Sequence, residues 1–264
     1  MYEFEYQKPG SVADAVKALA SDADAKALAG GMTLIPVLKQ RLAKPSAVVD
    51  LGGIGLTGIR REGDAIVIGA MTTHHDVANS EDVKRAIPAL VYLASHIGDR
   101  QVRYRGTIGG SLANNDPSAC YPSAVLALGA TIKTTRRGIA ADDYFQGMFT
   151  TALEPDELIT EVSFPIPEKA AYEKFPNPAS RYAMVGVFVA RTAQGVRVAV
   201  TGAGTDGVFR HKAMEAALDK SFSADAIKDV TTPESQMSSD IHASAAYRAH
   251  LVGVMARRAV AACG

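Results

Sequence analysis

Apolar residues along this chain follow two rhythms. Val12, Val16 and Leu19 recur three and four residues apart behind Ser11. That spacing predicts an amphipathic helix, with Ser11 as its N-cap and Asp14 favouring its first turn. A short strand in FEYQ precedes it. AKALAG and SAVVDL are apolar runs of strand length. In TGIRREGDAIVIGA two alternating runs flank Glu62-Gly63-Asp64, which predicts a hairpin. EDVKRAIPALVYLASHIG predicts a helix kinked or started at Pro88. YPSAVLALGATIKTT reads as helix, stop at Gly129, then strand. DELITEVSFPIP reads as a strand ended by prolines. YAMVGVFVARTAQGVRVAV predicts an antiparallel hairpin turning at Gln194-Gly195, followed by three helices, the last over 242–262. The stretch 170–181 is polar and carries two prolines. It sets the expected boundary between a domain at 1–172 and a smaller one at 173–264. The expected class is α+β, the second part an antiparallel sheet with helices.

Composition narrows the partners. At 264 residues and 47% hydrophobic, the chain can bury a sizeable core. Lys+Arg and Asp+Glu both number 28, so charge gives no case for nucleic acid or an anionic membrane. The cysteines, Cys120 and Cys263, cannot build a disulfide framework. The start, MYEFEYQKPG, is acidic and aromatic, unlike a signal peptide. No apolar stretch reaches the roughly 18 residues of a membrane helix. The expectation is a cytoplasmic protein.

Two stretches carry candidate chemistry. LAGGMTLIPVLKQRL, at 28–42, is a strand, a glycine pair, Thr33, and an amphipathic run. RGTIGGSLANNDPSA, at 105–119, repeats the glycine pair and closes it with Ser111. A pyrophosphate needs several converging backbone N–H groups with no side chains in the way. Gly30-Gly31 and Gly109-Gly110 would supply bare backbone, and Thr33 and Ser111 hydroxyl donors. Thr33 can also cap the helix behind it. Glycine pairs also mark ordinary tight turns. Two other glycine runs fit a dinucleotide fingerprint and fail its context. GIGLTG, at 53–58, leads into a hairpin rather than a helix. GAGTDG, at 202–207, sits between a strand and a helix but lacks a second parallel strand with an acidic end. His74-His75 invites a metal reading, but adjacent residues point apart and no third ligand has the right spacing.

AGGMTLIPVLKQRL, IGAMTTH, IGDRQVRYRGTIGGSLANNDPSACYPSAVLALGA and DELITEVSFP together resemble the FAD-binding medium subunit of molybdenum hydroxylases, the carbon monoxide dehydrogenase and xanthine dehydrogenase family. The likeness covers nearly the whole chain, and QVRxRGTIGG is its most specific part. It implies a two-part FAD-binding domain of the PCMH type. It further implies that Ala29, Gly30, Gly31, Met32, Thr33 and Leu34, with Thr107, Ile108, Gly109, Gly110 and Ser111, wrap the pyrophosphate of a non-covalent FAD. Ile97, Ile159 and Lys174 match positions at the isoalloxazine end. Met32 stands where relatives often carry His, Ser111 where Asn or Asp is common, and Cys120 where Asp is usual. A thiol accepts hydrogen bonds poorly, which bears on flavin affinity.

The implied role is electron transfer. A large molybdenum-cofactor subunit would oxidise substrate, and a small subunit would carry two [2Fe–2S] clusters. FAD in this chain would pass the electrons to an external acceptor, in a dimer of heterotrimers. No catalytic residue or metal ligand is expected here, since a cluster needs four thiolates. The alternative is a stand-alone PCMH-type flavin oxidoreductase with its own substrate. The expected docking surface includes Arg103 and Arg105, unless those arginines brace the flavin turn internally.

Overall fold

The computed structural model describes residues 1–263. Three sheets build it in chain order. The first is parallel, β1 (Glu5–Gln7), β3 (Ala47–Asp50) and β2 (Lys26–Leu28) in that spatial order. Helix α1 (Val12–Ala20) covers it, and α2 (Leu34–Lys39) leaves its end. The Ser11 hydroxyl accepts from the N–H of Asp14, as the capping pattern requires.

The second sheet is antiparallel: β4 (Ile59–Glu62), β5 (Ala65–Gly69), β10 (Ile159–Pro165), β6 (Thr131–Thr134) and β7 (Gly138–Ala140). Between β5 and β6 the chain runs through α3 (His74–Ala78), α4 (Glu81–Ala86), α5 (Pro88–Ser95), α6 (Arg100–Arg105), α7 (Ile108–Asn114) and α8 (Tyr121–Ala127). Pro88 starts α5 rather than kinking one long helix. After β7 come α9 (Ala141–Tyr144) and a small hairpin of β8 (Phe145–Gly147) and β9 (Thr150–Thr151). Helix α7 ends at buried Asn115, whose backbone is left-handed at φ 42°. Its Nδ2 donates to the carbonyls of Gly147 and Thr150, tying that hairpin to the helix end.

The third sheet orders β11 (Lys169–Pro176), β12 (Ala183–Thr192), β13 (Gly195–Thr201) and β14 (Phe209–Arg210). The β12–β13 hairpin turns at Gln194-Gly195 as expected, with Gly195 at φ 109°. After α10 (Lys212–Lys220), two short 3₁₀ turns lead to α11 (Ala245–Ala262). β12 is apolar on both faces. Val185, Val187 and Val189 pack under α10 and α11, while Phe188 and Ala190 join the core of the second sheet with Tyr172 and Ala199. Phe188 is fully buried, worth about 1.5–3 kcal/mol, and Tyr172 is buried beside it.

The polar stretch at 170–181 is therefore only partly a connection. Strand β11 runs through it, and all of β11 pairs with β12. The expected boundary at 172/173 falls inside that strand. GAGTDG, expected between a strand and a helix, joins β13 to β14 in an antiparallel pair. No helix among the described residues is long and apolar enough to cross a membrane.

Candidate cofactor site

Between the first and second sheets lies a cavity of about 810 Å³, within the range of cofactor pockets. Both glycine turns line it, together with Ile97, Cys120, Ile159 and Lys174.

The turns are packed against each other, backbone on backbone. A Cβ on Gly30 would lie 2.0 Å from the carbonyl oxygen of Arg105. One on Gly109 would lie 2.7 Å from both Cβ and the oxygen of Ala70. Gly31 takes φ 76°, which glycine adopts without strain. Gly110 is the looser one, facing Thr107 Oγ1 at 3.0 Å and Ala29 Cβ at 3.3 Å. The glycines at 30 and 109 therefore also allow close chain approach.

Hydrogen-bond accounting divides the work between the turns. Among the described residues, the N–H groups of Gly30, Gly31, Met32, Thr33 and Leu34 find no acceptor in the chain. In the second turn four N–H groups are engaged: Ile108 to Thr72, Gly109 to Ala70, Gly110 to Thr107 Oγ1, and Ser111 to Thr107. The first turn supplies backbone donors; the second offers the hydroxyl of Ser111. Thr33 stands at the N-cap of α2 but makes no side-chain capping bond, contrary to expectation, so its hydroxyl is also uncommitted. Backbone donors left open beside a cavity suit a phosphate, so the residues present fit a dinucleotide cofactor.

Of the fourteen expected contact residues, Ile108 is the one the structure places elsewhere. Its side chain is fully buried in the core of the second sheet and does not line the cavity. At the far end, Lys174 Nζ donates to the carbonyl of His96 at 2.8 Å and lies 3.5 Å from Cys120 Sγ. Cys120 is buried, with 4% of its surface exposed. His96 closes α5, its Nδ1 2.8 Å from the carbonyl of Tyr92. Arg103 donates to the carbonyls of Ile97 and Gly98, in the loop between α5 and α6.

Two cavity residues were not read as such in the sequence, one passed over and the other weighed only as a metal ligand. Glu157 is buried and takes bonds from Arg137, Thr134 and the N–H of Glu154. Burial opposes its ionisation, but Arg137 and Thr134 outweigh it and bring its pKa down to about 2. A lowered pKa contributes stability above the ordinary value near 4.5, lost as pH falls toward about 2. Urea midpoints measured from pH 5 down to pH 3 should therefore fall more steeply in the wild type than in Glu157→Gln. Because Arg137 is half exposed, the difference should be on the order of 1–2 kcal/mol. Equal slopes would show that the pair does not support the fold.

His74 is the other. It is 5% exposed, its ring 5.3 Å from that of Tyr121. Burial, and secondarily the charge of Arg103, lower its pKa to about 4. His75 points away and stacks on Tyr104 with ring centroids 3.9 Å apart. No local pattern marks either site residue, because the partners of each come from distant segments.

Comparison with known proteins agrees with this layout. Residues 2–167 match the family model described as the FAD binding domain in molybdopterin dehydrogenase, and residues 170–263 the CO dehydrogenase flavoprotein C-terminal domain. The chain is 40% identical to the carbon monoxide dehydrogenase medium chain of Afipia carboxidovorans, covering 97% of this chain and 95% of that one. It is 37% identical to the nicotine 6-hydroxylase medium subunit of Paenarthrobacter nicotinovorans, over 98% of this chain and 96% of that one. It superimposes on reconstituted CO dehydrogenase from Oligotropha carboxidovorans with a TM-score of 0.91 at 37% identity, covering 99% and 98% of the two chains.

Proposed function

The chain belongs to the family of FAD-binding medium chains of molybdopterin dehydrogenases, and from that premise we propose that it is the electron outlet of its complex. It is an FAD-binding oxidoreductase component, the medium subunit of a molybdenum hydroxylase type of assembly. In our reading a large molybdenum-cofactor partner oxidises the substrate. The [2Fe–2S] clusters of a small partner carry the electrons here, for delivery to an external acceptor. When bound, FAD supplies exchange of one or two electrons, joining one-electron carriers to a two-electron acceptor.

The observation that carries the reading is the run of uncommitted N–H groups from Gly30 to Leu34, residues that line the cavity beside the second turn. Those donors and the Thr33 and Ser111 hydroxyls would hold the pyrophosphate. Ile97 and Ile159 would shield the ring end from water, and Lys174 would place a positive charge there. Two cysteines cannot supply the four thiolates of a cluster, which supports a partner as the cluster's carrier. Similar chains are named for carbon monoxide and for nicotine enzymes, which supports substrate choice outside this chain.

The test compares the chain alone with the chain reassembled with both partners. Alone, it should bind FAD and be reduced by dithionite, yet turn over no organic substrate. With both partners present, substrate should bleach the flavin. Flavin reduction by substrate in the isolated chain would overturn the reading in favour of a stand-alone oxidoreductase.

A further inference from the structure

We propose that His74 is a neutral hydrogen-bond donor to the bound cofactor, standing in for the backbone donors that the second glycine turn has spent on itself. The inference rests on the functional reading above and adds a contact to it.

The position of His74 is fixed from both sides. Thr73 caps α3 in a reciprocal box with Asp76: Thr73 Oγ1 accepts from the Asp76 N–H at 3.1 Å. The N–H of His74 itself donates to the carbonyl of Gly106 at 2.9 Å. This bond ties the start of α3 to the residue just before the second turn. The imidazole then lies beside that turn, between Gly106 and the ring of Tyr121. A Cβ on residue 106 would come within 2.5 Å of His74 Nε2, so glycine at 106 leaves the room the ring occupies.

The two ring nitrogens differ in surroundings. Nδ1 is sealed from solvent and has no hydrogen-bond partner among the described residues. His74 lines the cavity, and Nε2 is the ring nitrogen not sealed off. Burying an N–H without an acceptor is rarer in folded proteins than leaving an acceptor unfilled. The proton of the neutral ring therefore belongs on Nε2, where it faces the cavity as a donor. The charged group acting on the ring is Arg103 of α6, and the titratable group packed on it is Tyr121 of α8. Burial and Arg103 both disfavour the imidazolium, so the ring stays neutral through the physiological range.

Backbone donors are few on this side of the cavity. Ile108, Gly109, Gly110 and Ser111 have all committed their N–H groups to the chain. A pyrophosphate held by the first turn would meet mostly the Ser111 hydroxyl on the opposite side. Nε2–H of His74 supplies a further donor there.

The test is FAD titration of the deflavinated full chain, followed by fluorescence quenching. His74→Phe fills the same space without a donor and should weaken FAD binding about 10- to 100-fold, the loss of one hydrogen bond to a charged group. His74→Gln keeps an N–H and should stay within several-fold of the wild type. In parallel, ¹⁵N resonances of the His74 ring at neutral pH should show protonated Nε2 and bare Nδ1, with Nε2 shifting on FAD addition. Equal affinity of the Phe variant, or a proton on Nδ1 in the wild type, overturns the proposal. Failure of the wild-type chain to bind FAD would instead sink the functional reading.

Discussion

Gly30→Ala should strip this chain of FAD and lower its melting temperature by several degrees. The added methyl would meet the carbonyl oxygen of Arg105 at 2.0 Å, its carbon at 2.7 Å and Gly106 Cα at 2.8 Å. All three are backbone atoms, so no side chain can swing aside. The first turn must lift off the second, and overpacking of this kind costs about 1–3 kcal/mol. For a chain of this size that is roughly 2–4 °C per kcal/mol. The separated turns no longer align the Gly30–Leu34 donors with Ser111, so FAD affinity should fall well beyond the stability loss. Gly110→Ala is the graded comparison, because its nearest neighbours are side-chain atoms at 3.0 and 3.3 Å. Gly10→Ala, with nothing within 4 Å, should be silent. Calorimetry and bound-flavin stoichiometry read both effects. Full FAD occupancy in Gly30→Ala would show that the two turns bind independently.

Arg248→Met should be the most destabilising single change in the C-terminal part. Arg248 sits on α11 with 4% of its surface exposed. Its Nη1 donates to the carbonyls of Met184 and Gly202, at 2.7 Å each, and its Nη2 to Asp240 at 2.7 Å. The guanidinium thus joins the start of β12, the end of β13 and the loop before α11. Met preserves the stem but leaves two carbonyls and a carboxylate without their donor, a loss of about 3–5 kcal/mol. Arg248→Lys recovers a charge without the planar fork and should fall between. Urea unfolding measures both. A loss below about 1 kcal/mol in the Met variant would mean that water replaces the guanidinium at little cost.

The sequence was most legible where one local segment carries its own signal. The β12–β13 hairpin reads directly from its apolar run and Gly195. The cap at Ser11 and the break at Pro88 need no distant partner either. The glycine turns were found for a related reason, but not how closely they are packed. What makes Gly30 a glycine is the Arg105 carbonyl some seventy-five residues away. The same holds for Gly109 and Ala70. Helices α6 and α7 are each too short to show a helical period in the sequence. Strand β11 was hidden by its lysines, glutamate and terminal proline, which a strand at the edge of a sheet tolerates. Glu157 gave no signal and His74 only that of a histidine pair, since neither takes its place in the site until Arg137 and Gly106 arrive beside it.

The two faces of β12 have a consequence for how such subunits can be recombined. The family models meet between residues 167 and 170, which invites hybrids that join the front of one relative to the back of another. The seam they would cut is a packed one. Tyr172, Phe188, Ala190 and Ala199 belong to the back half by chain order but to the core of the front half by contact. A graft that carries the front half alone brings a foreign lid to a fitted socket. Chimeras that exchange these four positions together with the front half should fold where simple splices aggregate.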